Sequence, residues 1–221
     1  MTRSEIGSEI AQLLLQTGAI FISKKQPFIL AAGWASPVYI DVRLLVGESE
    51  TRKAVTRLAT EFIKSELGSQ NFDAIIGAET AGIPFSAWLA DSLNIKMRYV
   101  RKHSLGFGQN AQVEGGSVEG MRVLMMDDLT TDGNSKLAFA RGIRAAGAEL
   151  EDILTIFYHD VFKSAGPRLQ DVGLKLHAMV TWDDVLRADN GKFISPEDRT
   201  EIEKFLSDPV DWSTRHGGRS R

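Results

Sequence analysis

The chain of 221 residues has no cysteine, only four histidines and no long apolar run. Without cysteine, disulfide bonds and thiolate-bound metals are excluded, and the histidines are too scattered in the sequence to suggest a metal site. No stretch approaches the roughly 20 apolar residues of a transmembrane helix, and the first ten residues lack the apolar core of a signal peptide. We therefore expect a cytoplasmic protein with no membrane partner.

An excess of charge of one sign is also missing. The chain carries 26 Lys and Arg against 29 Asp and Glu, a net charge of −3. General nucleic-acid binding needs a basic face that releases counterions from phosphates, so we expect no nucleic-acid partner. The hydrophobic content of 43% is enough to bury a substantial core, which favours one main domain with a small appendage.

Helix-like and strand-like segments alternate through the middle of the chain. This order is typical of βαβ winding and predicts an α/β fold whose central parallel sheet is flanked by helices. A helix over residues 4–17 and three short strands at 19–22, 28–30 and 38–41 come first, and predict a small antiparallel subdomain. The main segments are strands at 74–77, 97–100, 123–128, 153–158 and 174–180, and helices at 50–67, 84–93, 135–146, 183–187 and 196–206.

Residues 123–136, VLMMDDLTTDGNSK, are the most informative segment. The four apolar residues at its start are typical of a strand covered on both faces, and helical spacing follows Lys136. The loop between them therefore lies at the carboxyl end of a strand, where open α/β sheets bind ligands. The next helix offers free N–H groups to an anion there.

The polar residues of this segment favour a sugar phosphate. Gly133 lets the backbone close around a phosphate, and Thr130, Thr131 and Ser135 add hydroxyl donors. Two adjacent carboxylates, at positions 127 and 128, would repel a phosphate. They suit the vicinal hydroxyls of a ribose, or a divalent cation that bridges to them.

A second segment, residues 103–120, has five glycines and neither helical nor strand periodicity. A long irregular stretch inside a compact domain is usually a functional loop or a disordered one. Arg101 and Lys102 stand at its base. We predict a mobile loop that closes over an anionic substrate and excludes water.

Residues 123–136 resemble the phosphoribosyl diphosphate (PRPP) signature of the type I phosphoribosyltransferases. Three further segments resemble the orotate phosphoribosyltransferases in particular. Residues 28–43, FILAAGWASPVYIDVR, look like their N-terminal signature, and residues 77–84, GAETAGIP, are similar to their diphosphate loop. Residues 99–102, with the glycine-rich stretch ending at Gly116, are similar to their mobile catalytic loop.

The resemblance implies the type I phosphoribosyltransferase fold and the transfer of a phosphoribosyl group from PRPP to orotate. It also implies Mg²⁺, and a homodimer in which loop 103–120 reaches the partner's site. On this basis we divide the chain into an N-terminal helix and base-binding subdomain (1–45), a PRPP-binding α/β core (46–190), and a C-terminal helix and tail (191–221). We expect the basic, glycine-rich end of that tail to be frayed.

The resemblance also assigns roles to residues. Asp127 and Asp128 would hold the ribose, with Mg²⁺ near them bound through PRPP and not by the protein alone. Arg101 and Lys102 would stabilise the departing diphosphate, and Ala81 and Gly82 would offer backbone contacts to it. The phosphate loop would comprise Leu129, Thr130, Thr131, Asp132, Gly133, Asn134 and Ser135, and orotate would contact Thr131, Phe28 and Tyr39.

Several positions depart from the family pattern. Ala31 and Ala81 stand where lysines are usual, and Leu105 and Phe107 replace a lysine and a histidine of the mobile loop. Asp160 aligns with a usual arginine. An alternative is therefore a phosphoribosyltransferase-like protein that binds PRPP or a nucleotide with little or no turnover, or one that uses another base.

Overall fold

A computed structural model describes residues 1–23, 25–30, 32–103, 112–162 and 165–220. The expectations for Ala31, Leu105 and Phe107 concern residues outside these ranges. The strands are β1 (Ile20–Ile22), β2 (Phe28–Ile29), β3 (Ala35–Ser36), β4 (Val38–Ile40), β5 (Ala74–Ala78), β6 (Lys96–Val100), β7 (Val113–Glu114), β8 (Arg122–Thr130), β9 (Glu149–Tyr158) and β10 (Lys175–Thr181). The helices are α1 (Arg3–Gln16), α2 (Leu44–Gly47), α3 (Ser49–Phe62), α4 (Gly82–Leu93), α5 (Asn134–Ala145), α6 (Ala165–Gln170), α7 (Trp182–Ala188), α8 (Pro196–Ser207) and α9 (Pro209–Arg215).

The central sheet has six strands in the order β10-β9-β8-β5-β6-β7. All neighbours pair in parallel except β7, which pairs antiparallel with β6. Buried residues on the two faces form two separate apolar clusters, as expected for a sheet covered by helices on both sides. The predicted α/β fold with a central parallel sheet is confirmed.

The predicted antiparallel subdomain is also present. β1 pairs with β4, and β2 pairs with β3, both antiparallel. β3 was not predicted, because its two residues, Ala35 and Ser36, are too few to show a period of two.

Three elements differ from the prediction and affect the candidate site. β8 continues two residues beyond the predicted strand, so Leu129 and Thr130 belong to the sheet and not to the loop. Residues 113–114 of the predicted irregular loop form β7 at the edge of the sheet. The tail is not frayed up to Arg219, since this residue's N–H donates to the Gly33 carbonyl at 2.8 Å. Within the described ranges, no helix is both long enough and apolar enough to cross a membrane.

Candidate active site

The candidate site lies at the carboxyl ends of β5 and β8, two neighbouring parallel strands. The turn after β5 leads into α4 at Gly82, which packs directly against β8. A Cβ at Gly82 would lie 2.4 Å from the Met126 carbonyl oxygen and 3.1 Å from the Asp127 Cα, so only glycine fits here. The predicted diphosphate turn, Ala81 and Gly82, is thereby brought against the acidic pair.

Asp127 lies below the surface of the site. The residue is 6% exposed, and its Oδ2 accepts a hydrogen bond from Lys136 Nζ at 2.5 Å. Its Oδ1 accepts the Asp128 N–H at 2.9 Å. The predicted contact of Asp127 with the ribose stays a prediction. Each of its carboxylate oxygens accepts one hydrogen bond from the protein and has a second lone pair.

Lys136 is 2% exposed and also donates to the Leu129 carbonyl at 2.6 Å. It therefore ties α5 to β8 from inside, and its charge balances that of Asp127. The sequence does hold a signal for this position. Lys136 precedes Phe139, Ala140 and Ile143 by three, four and seven residues, the spacing of the buried face of an α-helix.

Asp128 is the more accessible member of the pair, and it is only partly buried. Loss of hydration and the neighbouring negative charge of Asp127 raise the pKa of Asp128 from 3.8 to about 7, while Lys136 acts in the opposite direction. The carboxylate is therefore ionised only in part at neutral pH. A donor or cation that binds it would favour the ionised form.

The phosphate loop begins where β8 ends. Thr130 is 1% exposed, its carbonyl accepts the His159 N–H at 3.0 Å, and its buried hydroxyl has no partner. Gly133 has a φ of 76°, a left-handed conformation that favours glycine, and caps α5. The residues predicted to contact the phosphate therefore fall into two groups. Leu129 and Thr130 support the loop from the sheet, and Thr131, Asp132, Asn134 and Ser135 form its accessible rim.

Arg101 and Lys102 follow β6 at the same edge of the sheet. Arg101 donates from Nε to Glu114 of β7 at 2.9 Å, and Glu114 raises its pKa. The Lys102 N–H donates to Glu79 at 2.6 Å, which connects the base of the predicted mobile loop to the diphosphate turn. The Lys102 side chain is exposed.

The aromatic residues predicted to contact the base lie together in the N-terminal subdomain. The ring centres of Phe28 and Tyr39 are 5.8 Å apart. Arg43 donates to the Tyr39 hydroxyl at 3.0 Å and to both carboxylate oxygens of Asp41, at 2.6 and 2.9 Å. These contacts, and more weakly the charge of Asp128, raise the pKa of Arg43, so the subdomain and the acidic pair are electrostatic neighbours.

Arg43 was part of the recognised N-terminal pattern but received no role from it. Arg43 follows β4 in a turn, where its N–H donates to the Asp41 carboxylate at 3.1 Å. Asp160 lies one residue after the buried His159 with a φ of 50°, and burial raises its pKa. The carboxyl group of Asp160 does not replace the positive charge of the arginine that is usual at this position.

The described residues contain no group of three or more His, Asp or Glu side chains that could hold a metal ion. This donor set fits a cation bound mainly by substrate phosphates, because Mg²⁺ in such sites takes only one or two protein carboxylates. Asp128 is the carboxylate available for that role, and Asp127 stands behind it.

Comparison with known proteins identifies the family. The phosphoribosyl transferase domain matches residues 48–172, more than half of the chain. The orotate phosphoribosyltransferase of Rhizobium meliloti (strain 1021) is 44% identical over 210 residues, which cover 95% of this chain and 90% of that protein.

Solved structures agree with this assignment. The orotate phosphoribosyltransferase of Aeropyrum pernix is 31% identical with a TM-score of 0.69, over 80% of this chain and 96% of that one. Leishmania donovani UMP synthase is 25% identical with a TM-score of 0.78, over 91% of this chain and 42% of that one. The chain belongs to the orotate phosphoribosyltransferase family.

Proposed function

We propose that the protein transfers the 5-phosphoribosyl group of PRPP to orotate, giving orotidine 5′-monophosphate and diphosphate in pyrimidine biosynthesis. The observation that carries the proposal is the 44% identity to an orotate phosphoribosyltransferase over nearly the full length of both chains. The strand, acidic pair and phosphate loop at the edge of the sheet support it.

The ribose 5-phosphate end of PRPP would bind at the start of α5. The positive end of the helix dipole favours a phosphate there, and Gly133 allows close backbone approach. Asp128 would accept hydrogen bonds from the ribose hydroxyls. The ion pair of Asp127 with Lys136 would hold Asp128 and the loop in place, and the remaining lone pairs of Asp127 would face the ribose.

The diphosphate end would bind between the turn at Ala81 and Gly82 and the two cations, Arg101 and Lys102. During transfer the bond from the anomeric carbon to a diphosphate oxygen breaks, a bond from that carbon to N1 of orotate forms, and the N1 proton passes to the departing diphosphate, directly or through water. Negative charge grows on the departing diphosphate, so preorganised backbone N–H groups and cations there lower the barrier.

Orotate would lie against Phe28 and Tyr39, with Thr131 at its edge. A flat, apolar ring face suits stacking on an aromatic side chain. Orotate also carries a carboxylate, and the guanidinium of Arg43, held by Asp41 and Tyr39, is a positive group on this side of the site. We include Arg43 among the residues that attract the acceptor base.

Mg²⁺ would be held by the PRPP oxygens and Asp128, and when bound it neutralises part of the diphosphate charge. We further propose that the protein works as a homodimer in the cytoplasm, with the loop after Lys102 closing over the site of the partner. Residues 104–111 of that loop lie outside the described ranges.

The test is an orotate-consumption assay with PRPP and Mg²⁺, beside calorimetric titration of PRPP into the same protein. Turnover that requires all three components is the expected result. PRPP binding without orotate turnover would reject the proposal in favour of a binding protein or another base, and a panel of purines and pyrimidines would separate these two. Arg43→Gln should raise the KM for orotate more than the KM for PRPP, whereas Arg57→Gln on the surface of α3 should change neither.

A further inference from the structure

The end of the chain is bound to the N-terminal subdomain. We call residues 209–219, which comprise α9 and the segment after it, the C-terminal clasp. The Ser213 hydroxyl accepts the Ala35 N–H at 3.0 Å and donates to the Arg219 carbonyl at 2.8 Å. The Arg219 N–H in turn donates to the Gly33 carbonyl at 2.8 Å. Ser213 and Ala35 are fully buried, so the bond between them forms in the interior.

Gly218 is the point of closest approach between the clasp and the subdomain. A Cβ at this position would lie 2.3 Å from the Ala35 nitrogen and 2.5 Å from Ser213 Oγ. Gly218 is not among the glycines with positive φ, so its backbone conformation does not itself require glycine. A side chain here would have to push the clasp and β3 apart.

β3 connects the clasp to the aromatic residues of the candidate site. It pairs with β2, where Phe28 lies opposite Ser36. The Ser36 hydroxyl also bonds to the backbone of Val38, accepting its N–H at 3.2 Å and donating to its carbonyl at 2.7 Å, which links β3 to β4 and Tyr39. A displacement of β3 would therefore change the positions of Phe28 and Tyr39.

The clasp also borders the phosphate loop. A cavity of about 560 Å³ is lined by residues of the clasp, of the subdomain and of the loop, among them Val210, Arg219, Trp34 and Asp132. The Arg219 guanidinium lies over the Trp34 ring, 5.1 Å from its centre. The clasp is thus adjacent to the substrate cleft and not on a remote surface.

We propose that the C-terminal clasp is a positioning element for the acceptor base, in which Ser213 and Gly218 hold β3 so that Phe28 and Tyr39 keep the geometry that orotate requires. This inference rests on the proposed function. The clasp itself touches no reacting atom. Its effect should therefore appear in the recognition of orotate and not in that of PRPP.

The decisive comparison is Gly218→Ala against Gly47→Ala. A Cβ at Gly47, at the end of α2, meets nothing within 4 Å, so this variant makes the same chemical change in open space. Small displacements of positioning residues cost up to about 100-fold, so we expect the KM for orotate to rise about 10- to 100-fold in Gly218→Ala. The KM for PRPP should stay within about twofold, and Gly47→Ala should match the unaltered protein.

Ser213→Ala removes the hydroxyl without adding bulk and should raise the KM for orotate in the same direction but less. If the clasp were merely structural, Gly218→Ala would lower the melting temperature and the active fraction while both KM values stayed unchanged, and that result would overturn the proposal. An equal rise in both KM values would overturn it as well.

Hydrogen exchange of residues 28–40 separates this inference from the proposed function. Faster exchange there in Gly218→Ala than in Gly47→Ala is expected, whatever base the protein uses, and equal exchange would overturn the proposal. Absence of orotate transfer in the unaltered protein would reject the proposed function instead. The acceptor found in the base panel would then replace orotate in the KM comparison.

Discussion

Replacing Asp128 with asparagine should weaken PRPP binding and at the same time stabilise the protein at alkaline pH. Burial and the charge of Asp127 raise the pKa of Asp128 from 3.8 to about 7. Between these two values the folded protein keeps a proton that the unfolded chain has lost. The free energy of unfolding therefore falls as pH rises through this window, and the ionised carboxylate remains destabilising above it.

The size of the effect follows from the shift. One group contributes about 1.4 kcal/mol per pH unit inside the window, so the two units between pH 5 and the folded pKa correspond to about 2.7 kcal/mol. Because Asp128 is only partly buried, solvent screening reduces this to on the order of 1–2 kcal/mol. Asparagine cannot ionise, so the free energy of unfolding of Asp128→Asn relative to the unaltered protein should increase by that amount from pH 5 to pH 8.

The assay is urea unfolding at pH 5, 6.5 and 8 and constant ionic strength, with Asp171→Asn as the control because Asp171 is exposed. The control should give the same difference at each pH. A pH-independent difference for Asp128→Asn would refute the claim that folding makes this carboxylate hard to ionise. Calorimetry should show PRPP affinity lowered about 10- to 100-fold, since a hydrogen bond to a charged group contributes about 1.5–3 kcal/mol. Unchanged affinity would remove Asp128 from the site.

Three further predictions concern residues around the site. Lys136→Met leaves Asp127 as an unpaired buried charge and should lower the free energy of unfolding by about 3–5 kcal/mol, measured by urea unfolding. Adding Asp127→Asn to this variant should restore part of the loss. No restoration would contradict the ion pair between Lys136 and Asp127. Burial lowers the pKa of His159 from 6.5 to about 4, so stability should fall by roughly 3 kcal/mol as pH drops from 6.5 to 4, and His159→Asn should lack that component of the slope. Gly82→Ala should lower both the melting temperature and PRPP affinity because its Cβ would collide with the Met126 carbonyl oxygen, and a variant indistinguishable from Gly47→Ala would contradict the close packing of α4 on β8.

The fold was largely predictable because its strands have strong local signals. β5 is buried at every residue, and the apolar part of β8 is at most 1% exposed, so both appear in the sequence as uninterrupted apolar runs. Elements of two residues, such as β3 and β7, leave no periodic pattern. They form because longer neighbours offer free backbone groups for pairing.

The candidate site was predictable in its position but not in its interior. The location at the carboxyl end of β8 follows from the order of elements. The burial and the partners of each carboxylate depend on how far the strand continues and on which side chains pack against it. Lys136 decides this for Asp127, from nine residues further along the chain. The contact between the clasp and β3 joins residues 178 positions apart, and no local pattern predicts such a pairing.

The pairing of β6 with β7 limits how far the predicted mobile loop can extend. The Arg101 N–H donates to the Gln112 carbonyl at 2.8 Å, and the Gln112 side chain donates to the Arg101 carbonyl at 2.9 Å. The two residues that flank the loop are therefore held next to each other. Only the ten residues 102–111 lie between these anchors. Because the loop starts and ends at the same place, only half of its length can lead away from the anchors. Its backbone can therefore extend no further than about 18 Å from them. For the backbone of this loop to reach the site of a partner, as we propose, that site has to lie within about 18 Å of Arg101.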